Sequence, residues 1–502
     1  MSNPGPFQLI ANDGKIDTIL QRTKELNRKL REICILSGEK PSLNEISQSH
    51  VIFPYKTYKP FVAIAHQYER KPAGKFPSRR LGGTIEFNID QIGDFIGDMV
   101  VHIRFSAIGD INADLATGTR YRYCDYPGMR LTKQVRFNIN NNPIDQYNDY
   151  DVIMYNNFEV QEDKRAGWDR CMGHDRGVVG TLYQSQPQIN ECKLVKNGAQ
   201  TFKTFQEPLD LWIPLLFWFC EDPSQYLPSV NIPNGQRRVI IDLAPYTDII
   251  QAGVLSTDVN GNITIDPVEA PTLNIEIADL YVNNLHVNPE IKDIFISNIG
   301  FNLIRVNRSN SITLNQSKGL VKFPEFKLPI ETIYFGFRPF ENVTGDSNFD
   351  NWFKLCDLTM DKYCSLILIP LDPGPGTEPT ASPTIYYEEA PVVDKIGFEV
   401  SGIKLYELIY ESFYRNYIPY KYKDCCEVVT PKNGCAYMVS WSMRPGKYQP
   451  TGYVNVSRAK EFRLNYESST ISPTNQVELL VSGKGINFIF VSDGTASLRF
   501  IS

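Results

Sequence analysis

The amino-acid sequence predicts an all-β protein. From Gly434 onward, short runs rich in β-branched and aromatic residues follow one another at roughly 10-residue spacing, a pattern typical of an antiparallel sandwich or barrel. Turn formers such as Arg444-Pro445-Gly446 separate them. The runs are AYMVSWSMR (436–444), YVNVS (453–457), FRLNY (462–466), VELLV (477–481), INFIFV (486–491) and SLRFI (497–501).

Two further observations predict that the β-domain occurs twice. An aromatic strand, a Pro-Ser or Pro-Thr pair, a short Val-Asn tripeptide and a charged alternating strand follow one another in the same order at two places, so that Val230-Asn231-Ile232 corresponds to Val454-Asn455-Val456. In addition, the chain has 502 residues, and a single hydrophobic core stops growing at about 250–300 residues. Two tandem domains therefore fit the length.

The N-terminal segment, residues 1–50, is predicted to be a helical arm. A helix over residues 16–36 would carry one apolar stripe, because aliphatic residues recur there at helical spacing with charged residues between them. The stripe consists of Ile16, Ile19, Leu26, Leu30 and Ile33. It must pack on another surface, which is either its own β-domain or a partner protein or membrane. The first residues lack a basic region followed by an apolar core, so no signal peptide is predicted.

The first β-domain is expected over residues 51–290. TIEFNID (84–90) and VRFNIN (135–140) alternate apolar and polar residues, and VVHIRF (100–105) lies between them. Such alternation requires one buried face and one face covered by water or a partner. The polar, Gly-rich stretch 159–204 is predicted to be a long loop, which in a compact domain is functional or carries small elements of its own.

The second β-domain is expected over residues 291–502. It begins with ISNIGFNLIRV (296–306). The stretch LDPGPGTEPTASPT (371–384) is predicted to be an exposed loop, because its prolines exclude a helix and a central strand. The segment GIKLYELIYESFYRN (402–416) is predicted to be helical, with a strand as the competing prediction because of its aromatic content.

Charge and composition exclude several classes of protein. A formal net charge of −6 argues against a nucleic-acid binder, which usually carries a basic surplus. The basic cluster Arg70, Lys71, Lys75, Arg79 and Arg80 is either a solvated loop or a partner-binding patch. The longest apolar run, 211–220, contains Pro214 and is too short to span a membrane as a helix. Ten cysteines are too dilute for a disulfide framework, so they are expected to be free thiols.

The sequence offers no catalytic, cofactor-binding or metal-binding residues. Neither a nucleophile elbow nor a phosphate-binding or dinucleotide-binding glycine motif occurs. The five histidines show no His-x-His spacing, and Cys171, His174 and Cys192 lack a fourth ligand for a structural zinc site. An enzyme is therefore not predicted.

Ten collinear segments resemble the double jelly-roll major capsid proteins of nucleocytoplasmic large DNA viruses. They are LIANDGK (9–15), GDFIGDMVVH (93–102), YCDYPGMRL (123–131), VRFNINNNPIDQY (135–147), LWIPLLFWF (211–219), PSVNIPNGQR (228–237), LYVNNLHVNPEI (280–291), FNLIRV (301–306), YQPTGYVNVSRAKEF (448–462) and GINFIFVSDGTASLRF (485–500). They span nearly the whole chain. The departures lie mainly in loops, which look shorter here.

The resemblance implies two tandem eight-stranded jelly rolls, with an N-terminal helix and long inserted loops. It further implies a homotrimer whose six jelly rolls give a pseudo-hexagonal capsomer, which tiles an icosahedral shell in the virion after assembly in the host cytoplasm. The expected partners are further copies of the chain, minor capsid and penton proteins and an internal membrane, with no cofactor and no direct contact to nucleic acid. The stripe Ile16, Ile19, Leu26, Leu30 and Ile33 is then expected to attach partners on the inner face of the shell.

Two alternatives remain open at the level of sequence. A poxvirus-like scaffold shares the double jelly roll but leaves the mature particle, and neither fold nor composition separates it from a capsid protein. A jelly-roll carbohydrate-binding module would need an exposed sugar pocket and usually secretion, neither of which the sequence signals.

Overall fold

The computed structural model describes most of the chain after residue 63. The described residues are 64–74, 80–113, 118–174, 179–182, 192–195, 199–232, 236–257, 263–289, 292–293, 296, 301–344, 348–360, 367–369, 382–384, 387–422, 428–431, 434–457, 459, 461–492 and 495–500. The arm predicted for residues 1–50, including its helix, lies outside them.

The N-terminal half contains two main antiparallel sheets. Its strands are β1 (Ile64–Pro72), β2 (Thr84–Ile89), β3 (Phe95–Phe105), β4 (Ile108–Gly109), β5 (Arg120–Tyr123), β6 (Thr132–Ile139), β7 (Asn142–Asn148), β8 (Val179–Leu182), β9 (Cys192–Val195), β10 (Phe205–Gln206), β11 (Leu209–Pro214), β12 (Leu227–Pro228), β13 (Arg237–Leu243), β14 (Ile250–Thr257), β15 (Ile263–Val268) and β16 (Ile275–Val287). One sheet has the order β1-β16-β3-β11, with β12 beside β3, and the other has the order β2-β13-β6-β7.

The C-terminal half repeats this arrangement. Its strands are β17 (Phe301–Leu314), β18 (Lys318–Lys322), β19 (Pro329–Pro339), β20 (Asp357–Met360), β21 (Ile367–Ile369), β22 (Ser382–Thr384), β23 (Tyr387–Ala390), β24 (Lys395–Val400), β25 (Ile403–Tyr410), β26 (Ala436–Ser440), β27 (Val454–Asn455), β28 (Phe462–Glu467), β29 (Val477–Ser492) and β30 (Thr495–Leu498). One sheet has the order β17-β29-β19-β26, flanked by β27 and β30, and the other has the order β18-β28-β24-β25.

The two halves have the same topology. Eight strands of each half form its two main sheets. In chain order they are β1, β2, β3, β6, β7, β11, β13 and β16 in the N-terminal half, and β17, β18, β19, β24, β25, β26, β28 and β29 in the C-terminal half. In both halves the first, eighth, third and sixth of these strands form one sheet, and the second, seventh, fourth and fifth form the other. This is the strand order of a jelly roll, in which two sheets pack face to face. Even the short strands correspond, because β12 pairs with the start of β3 and β27 with the start of β19. The all-β fold class predicted from the sequence is confirmed, and the two halves share one strand order.

Alternation in the sequence determines which side chains form the core. In β2, Ile85, Phe87 and Ile89 are buried, and their neighbours Glu86 and Asn88 are not. The same holds for Val135, Phe137 and Ile139 in β6. Successive side chains of a strand point to opposite faces, so these residues line the interior between the two sheets of the N-terminal half.

Helices are short and lie between the strands. They are α1 (Pro127–Leu131), α2 (Asp149–Phe158), α3 (Arg165–Cys171), α4 (Trp218–Glu221), α5 (Tyr246–Ile249), α6 (Asn348–Asn351) and α7 (Ile418–Tyr422), with 3-10 turns at Glu162–Lys164, Pro223–Gln225, Ser229–Asn231 and Phe340–Asn342 and a π turn at Phe413–Tyr417. Among the described residues, no helix is long and apolar enough to span a membrane.

The helix predicted over residues 402–416 is wrong for most of its length. Residues 403–410 form β25, which pairs with β24, and helical turns begin only at Phe413. Tyr406 of β25 packs edge-on against Phe398 of β24, and aromatic residues fit a half-buried sheet surface better than a helix. The competing strand prediction was correct here.

The two loop predictions have different outcomes. The stretch 159–204 contains α3 and the β8–β9 hairpin, in agreement with the prediction that a long loop there carries small elements of its own. Residues 382–384, the end of the Pro-rich stretch 371–384, form β22 and pair with β21. Pro383 is tolerated there because a two-stranded ribbon consists only of edge strands, whereas residues 371–381 lie outside the described residues.

Candidate functional site

The two halves meet along a surface that we call the seam, defined by contacts between residues 64–287 and residues 301–500. Among the described strands, each half pairs only within itself. Side chains therefore fix how the two sheet pairs are held together, and they do so at three places: a pair of buried carboxyl groups, an ion cluster beside a cavity and an aromatic anchor.

The first carboxyl group of the seam belongs to Asp145 on β7. Its Oδ1 accepts hydrogen bonds from the backbone N–H groups of Gln146 and Asn307, each at 2.9 Å, and its Oδ2 accepts one from Nδ2 of Asn307 at 3.1 Å. Burial raises the pKa of Asp145 to about 8, although the Asn307 N–H and the guanidinium of Arg308 act in the opposite direction. Asp145 thus ties β7 to β17 across the seam.

The second carboxyl group is that of Asp151 in α2. The helix begins after Asn148 with a capping box, in which the backbone N–H of Asn148 donates to Oδ2 of Asp151 at 2.7 Å; this arrangement satisfies backbone donors that a helix start leaves free. Nδ2 of Asn148 also donates to Oγ of Ser309 at 3.1 Å. Burial raises the pKa of Asp151 to about 6, opposed by hydrogen bonds from Ser482 and Ser309.

An ion cluster links β29 to the N-terminal half. Nζ of Lys484 lies 2.8 Å from the carboxylate of Glu159 and 3.1 Å from that of Glu221. Burial alone would lower the pKa of Lys484, but the two carboxylates outweigh it and hold that pKa well above its ordinary value. A single cation thus bridges two acidic side chains of the first half, and removal of Lys484 would leave two like charges facing each other.

A cavity of about 450 Å³ opens beside this cluster. Tyr155, Glu159 and Trp168 line it from the N-terminal half, and Tyr334 and Lys484 from the C-terminal half. The rings of Phe158 and Tyr334 stack across the seam at 4.9 Å. The two halves therefore leave a cavity between them, and directional polar contacts hold the seam as well as aromatic packing.

A further pair of the C-terminal half borders the same cavity. Nε of Arg305 lies 2.5 Å from Oε2 of Glu331, and Nη2 donates to the backbone carbonyls of Lys447 at 2.7 Å and Tyr448 at 3.1 Å. Arg305 thus links Glu331 to the backbone at Lys447 and Tyr448 within the C-terminal half.

The aromatic anchor is Trp352, which follows α6 and is 2% exposed. Its Nε1 donates to the backbone carbonyl of Asp125 at 2.7 Å, and the guanidinium of Arg130 lies 5.5 Å from its ring centroid. Nearby, Arg122 and Asp350 form an ion pair at 3.0 Å. A loop of the second half is thus inserted into the first half.

The polar groups of the seam hold the two halves together. Its carboxyl groups and cations contact one another or neighbouring polar groups. Two domains joined in this way move as one body when the interface is large and well packed. Within the part of the chain that the structure describes, no group of three or more His, Cys, Asp or Glu side chains is arranged to hold a metal ion.

The stripe Ile16, Ile19, Leu26, Leu30 and Ile33 lies outside the described residues, so its role stays a prediction. The imidazole ring of His174 stacks on the ring of Tyr126, with ring centroids 4.0 Å apart. Its contact is therefore that of a packing residue. Among the described residues, Cys124, Cys171, Cys220, Cys356 and Cys435 form no disulfide bond. In the basic cluster, Arg70 and Lys71 belong to β1 and pair with Asp279 and Asp90 at 2.8 Å each, so these two do not form a solvated loop.

Sequence reasoning missed the residues of the seam. One signal was visible: Lys484 and Glu478 are the two charged residues of the segment 477–491, and a lysine buried in a strand needs an acidic partner. The partners themselves were not visible, because Glu159 and Glu221 lie more than 260 residues away in sequence.

Comparison with known proteins identifies the relatives of the chain. Residues 73–287 match the family model described as major capsid protein N-terminus. Hexon protein p72 of African swine fever virus is 26% identical over an alignment that covers 100% of both chains. The resemblance to major capsid proteins of large DNA viruses found in the sequence is confirmed.

Solved structures agree with this result. The Faustovirus major capsid protein has a TM-score of 0.73 and 27% sequence identity, covering 96% of this chain and 100% of its own. The PBCV-1 virus capsid protein has a TM-score of 0.61 at 17% identity, covering 89% and 99%, which shows the shared fold. The double jelly-roll fold is therefore common to this chain and to capsid proteins of large DNA viruses.

Proposed function

We propose, on the premise that this chain is a homologue of the double jelly-roll major capsid proteins of large DNA viruses, that three copies form a capsomer that tiles an icosahedral shell. The observation that carries the proposal is similarity over the full length of both chains, together with one topology repeated in each half. Six similar sheet pairs in a trimer give a pseudo-hexagonal outline, and closed symmetry is the usual state of homo-oligomers.

The surface of the C-terminal half supports self-association. β25 is an edge strand of its sheet, and Ile403, Tyr410 and Tyr420 on β25 and α7 expose 65–74% of their surface. Exposed apolar side chains next to an unpaired edge mark interaction sites. A neighbouring copy in the capsomer or the shell would cover them.

The proposed division of the chain follows the strand pairing. Residues 51–290 form the first jelly roll and residues 291–502 the second, and residues 1–50 form an arm that attaches inner partners through Ile16, Ile19, Leu26, Leu30 and Ile33. These partners are minor capsid and penton proteins and an internal membrane, and assembly takes place in the host cytoplasm. The role is structural, without catalysis, cofactor or direct contact to nucleic acid. A transient scaffold is not favoured, because the relatives are named capsid proteins.

Light scattering coupled to size exclusion tests the proposal. The purified chain is expected to elute as one species of about 172 kDa, three times its mass of 57.2 kDa. Electron micrographs of the same fraction should show a pseudo-hexagonal outline. A monomer that persists at micromolar concentration, with or without co-expressed folding factors, would contradict the trimeric capsomer.

A further inference from the structure

Two buried thiols of the C-terminal half face each other. Cys356 follows the loop that carries α6, and Cys435 directly precedes β26. Both residues are fully buried. The two thiols are hydrogen-bonded to each other, and this bond together with burial holds the pKa of Cys356 well above its ordinary value. Cys356 is therefore a protonated thiol with a second thiol as its neighbour.

The backbone brings the two segments together independently of the sulfur atoms. On β19, Gly336 pairs with Ala436, the residue after Cys435. A Cβ atom at Gly336 would overlap Cδ1 of Leu355, the residue before Cys356. Because Gly336 has no side chain, the loop can lie directly on the sheet, and the chain neighbours of both cysteines contact the same position.

Further hydrogen bonds fix both cysteines in place. Nδ2 of Asn342 donates to the backbone carbonyl of Cys356 at 3.0 Å. On the other side, the thiol of Cys435 is hydrogen-bonded to the side chain of Tyr437, whose hydroxyl donates to Oε1 of Glu411 at 3.4 Å. A disulfide requires two cysteine side chains that point at each other, and these contacts hold the pair in that arrangement.

We propose that Cys356 and Cys435 form a redox site, in which an oxidant of the disulfide class converts the two thiols into one disulfide within the chain. One cysteine sulfur, as its thiolate, attacks the oxidant and releases half of it as a thiol. The other cysteine sulfur then attacks the mixed disulfide and releases the second half. One oxidant molecule is thus reduced to two thiols, which take up the two protons that the cysteines lose.

The disulfide would attach the aromatic anchor of the seam to the sheet of its own half. Trp352 lies on the same loop as Cys356 and contacts the first half through the carbonyl of Asp125. A bond from Cys356 to Cys435 would tie this loop covalently to β26. Because only an accessible thiolate reacts, oxidation requires transient opening of the loop and then locks it closed. The proposal does not depend on the assembly state of the protein.

Peptide mapping of the unaltered full-length chain tests the site. The protein is purified with a reducing agent and incubated with oxidised glutathione, and the remaining thiols are blocked with iodoacetamide before digestion. We expect a linked peptide pair that contains Cys356 and Cys435 and that dithiothreitol separates. If both cysteines stay blocked by iodoacetamide, carry only glutathione, or link to any other cysteine such as Cys426, the proposal is overturned.

Thermal melts of the reduced and the oxidised chain give a second readout. Oxidation should raise the thermal midpoint by at least about 5 °C, because a disulfide restricts the unfolded chain. Cys356→Ser should abolish this shift. The matched control is Cys124→Ser, because Cys124 is also fully buried but its thiol is hydrogen-bonded to Arg130, and this variant should keep the shift. Equal midpoints of the two forms, or a shift that survives Cys356→Ser, would overturn the proposal.

Discussion

Asp145 combines burial with a position between the two halves. It is 2% exposed and accepts three hydrogen bonds, two of them from Asn307 of the other half. Its pKa of about 8 in the folded chain lies above the ordinary value of 3.8. The folded protein therefore holds a proton on this group at pH values at which the unfolded chain has released it.

This difference predicts how stability depends on pH. Because the folded-state pKa is raised, the contribution of Asp145 is fully present below the unfolded pKa and is lost as pH rises toward 8, with a slope of up to about 1.4 kcal/mol per pH unit. We expect the thermal midpoint to fall between pH 6.5 and 8, and to fall less in Asp145→Asn. Thermal melts monitored by circular dichroism at several pH values measure both.

Three further groups bear on this window. Burial raises the pKa of Glu221 to about 7 against the opposing charge of Lys484, so Glu221 loses its proton in the same pH range, and the difference between the unaltered chain and Asp145→Asn isolates Asp145. Burial lowers the pKa of His286, so that group acts in the opposite direction. Asp151 has a pKa of about 6, and Asp151→Asn should leave the slope above pH 6.5 nearly unchanged. Equal slopes in the unaltered chain and in Asp145→Asn would show that Asp145 is ionised in the folded protein.

Individual residues of the seam were the least predictable from sequence. The capping box at Asn148 and Asp151 is a local signal, and Lys484 in a largely apolar strand is another. Which distant side chains they meet depends on how two complete jelly rolls dock, and no local pattern encodes that. The same limit applies to Trp352, whose partners Asp125 and Arg130 belong to the other half.

The loop that carries α6 acts as a plug between the halves. Trp352→Ala would empty a buried site and leave the carbonyl of Asp125 without its donor, and such substitutions cost about 3–5 kcal/mol. We expect a lower denaturation midpoint, and an earlier separate transition for one half if the seam opens first. Urea unfolding followed by intrinsic fluorescence and circular dichroism measures it.

Trp212→Ala provides the matched control for this change. Trp212 is 38% exposed and stacks on His102 at 4.1 Å within the first half, so its removal should shift the midpoint much less. A larger effect at Trp212 than at Trp352 would mean that the aromatic anchor does not hold the seam.

The connection between β21 and β22 belongs to a peripheral ribbon. These two strands pair only with each other among the described residues. We expect replacement of residues 371–381 by a Gly-Ser linker of half the length to change stability by no more than about 0.6 kcal/mol, because closure entropy varies slowly with loop length. Thermal midpoint and trimer mass measure the outcome, and failure of the shortened chain to form trimers would indicate that the loop interlocks subunits.

Strand prediction succeeded where the period was clear and failed where two periods compete. β2 and β6 alternate strictly between apolar and polar residues, and their buried residues are the predicted ones. Residues 403–410 carry an aromatic pattern that suits both a helix and a strand, and pairing with β24 decides the result. Pairing with a strand elsewhere in the chain is a tertiary property, so the short window could not settle it.

The duplication was visible in sequence because both copies keep the same order of short signals around the start of a central strand. β12 and β27 occupy equivalent places in the pairing, because Pro228 lies opposite the first residue of β3 and Asn455 opposite the first residue of β19. The predicted match of Val230-Asn231-Ile232 to Val454-Asn455-Val456 is therefore three residues out of register, and Ser229–Asn231 forms a 3-10 turn. The outer loops differ between the halves, with the β8–β9 hairpin in one and the β20–β23 ribbon in the other. Loops are free to diverge because they contribute little to the two cores.

Deletion of the arm tests whether it attaches the capsomer to partners on the inner face of the shell. Deletion of residues 1–36 removes the stripe Ile16, Ile19, Leu26, Leu30 and Ile33 and leaves every described strand in place. Burying five such aliphatic side chains is worth roughly 1.5–3 kcal/mol each as an upper range, enough to decide where the arm binds. We expect the shortened chain to form trimers with an unchanged thermal midpoint, and to lose binding to minor capsid proteins or to vesicles in flotation and pull-down assays. A variant with Leu26→Ser and Leu30→Ser in the full-length chain should show the same loss, because it disrupts the stripe while keeping the length of the arm. If the shortened chain aggregates without forming trimers, the arm packs on the first jelly roll, and the attachment role is wrong.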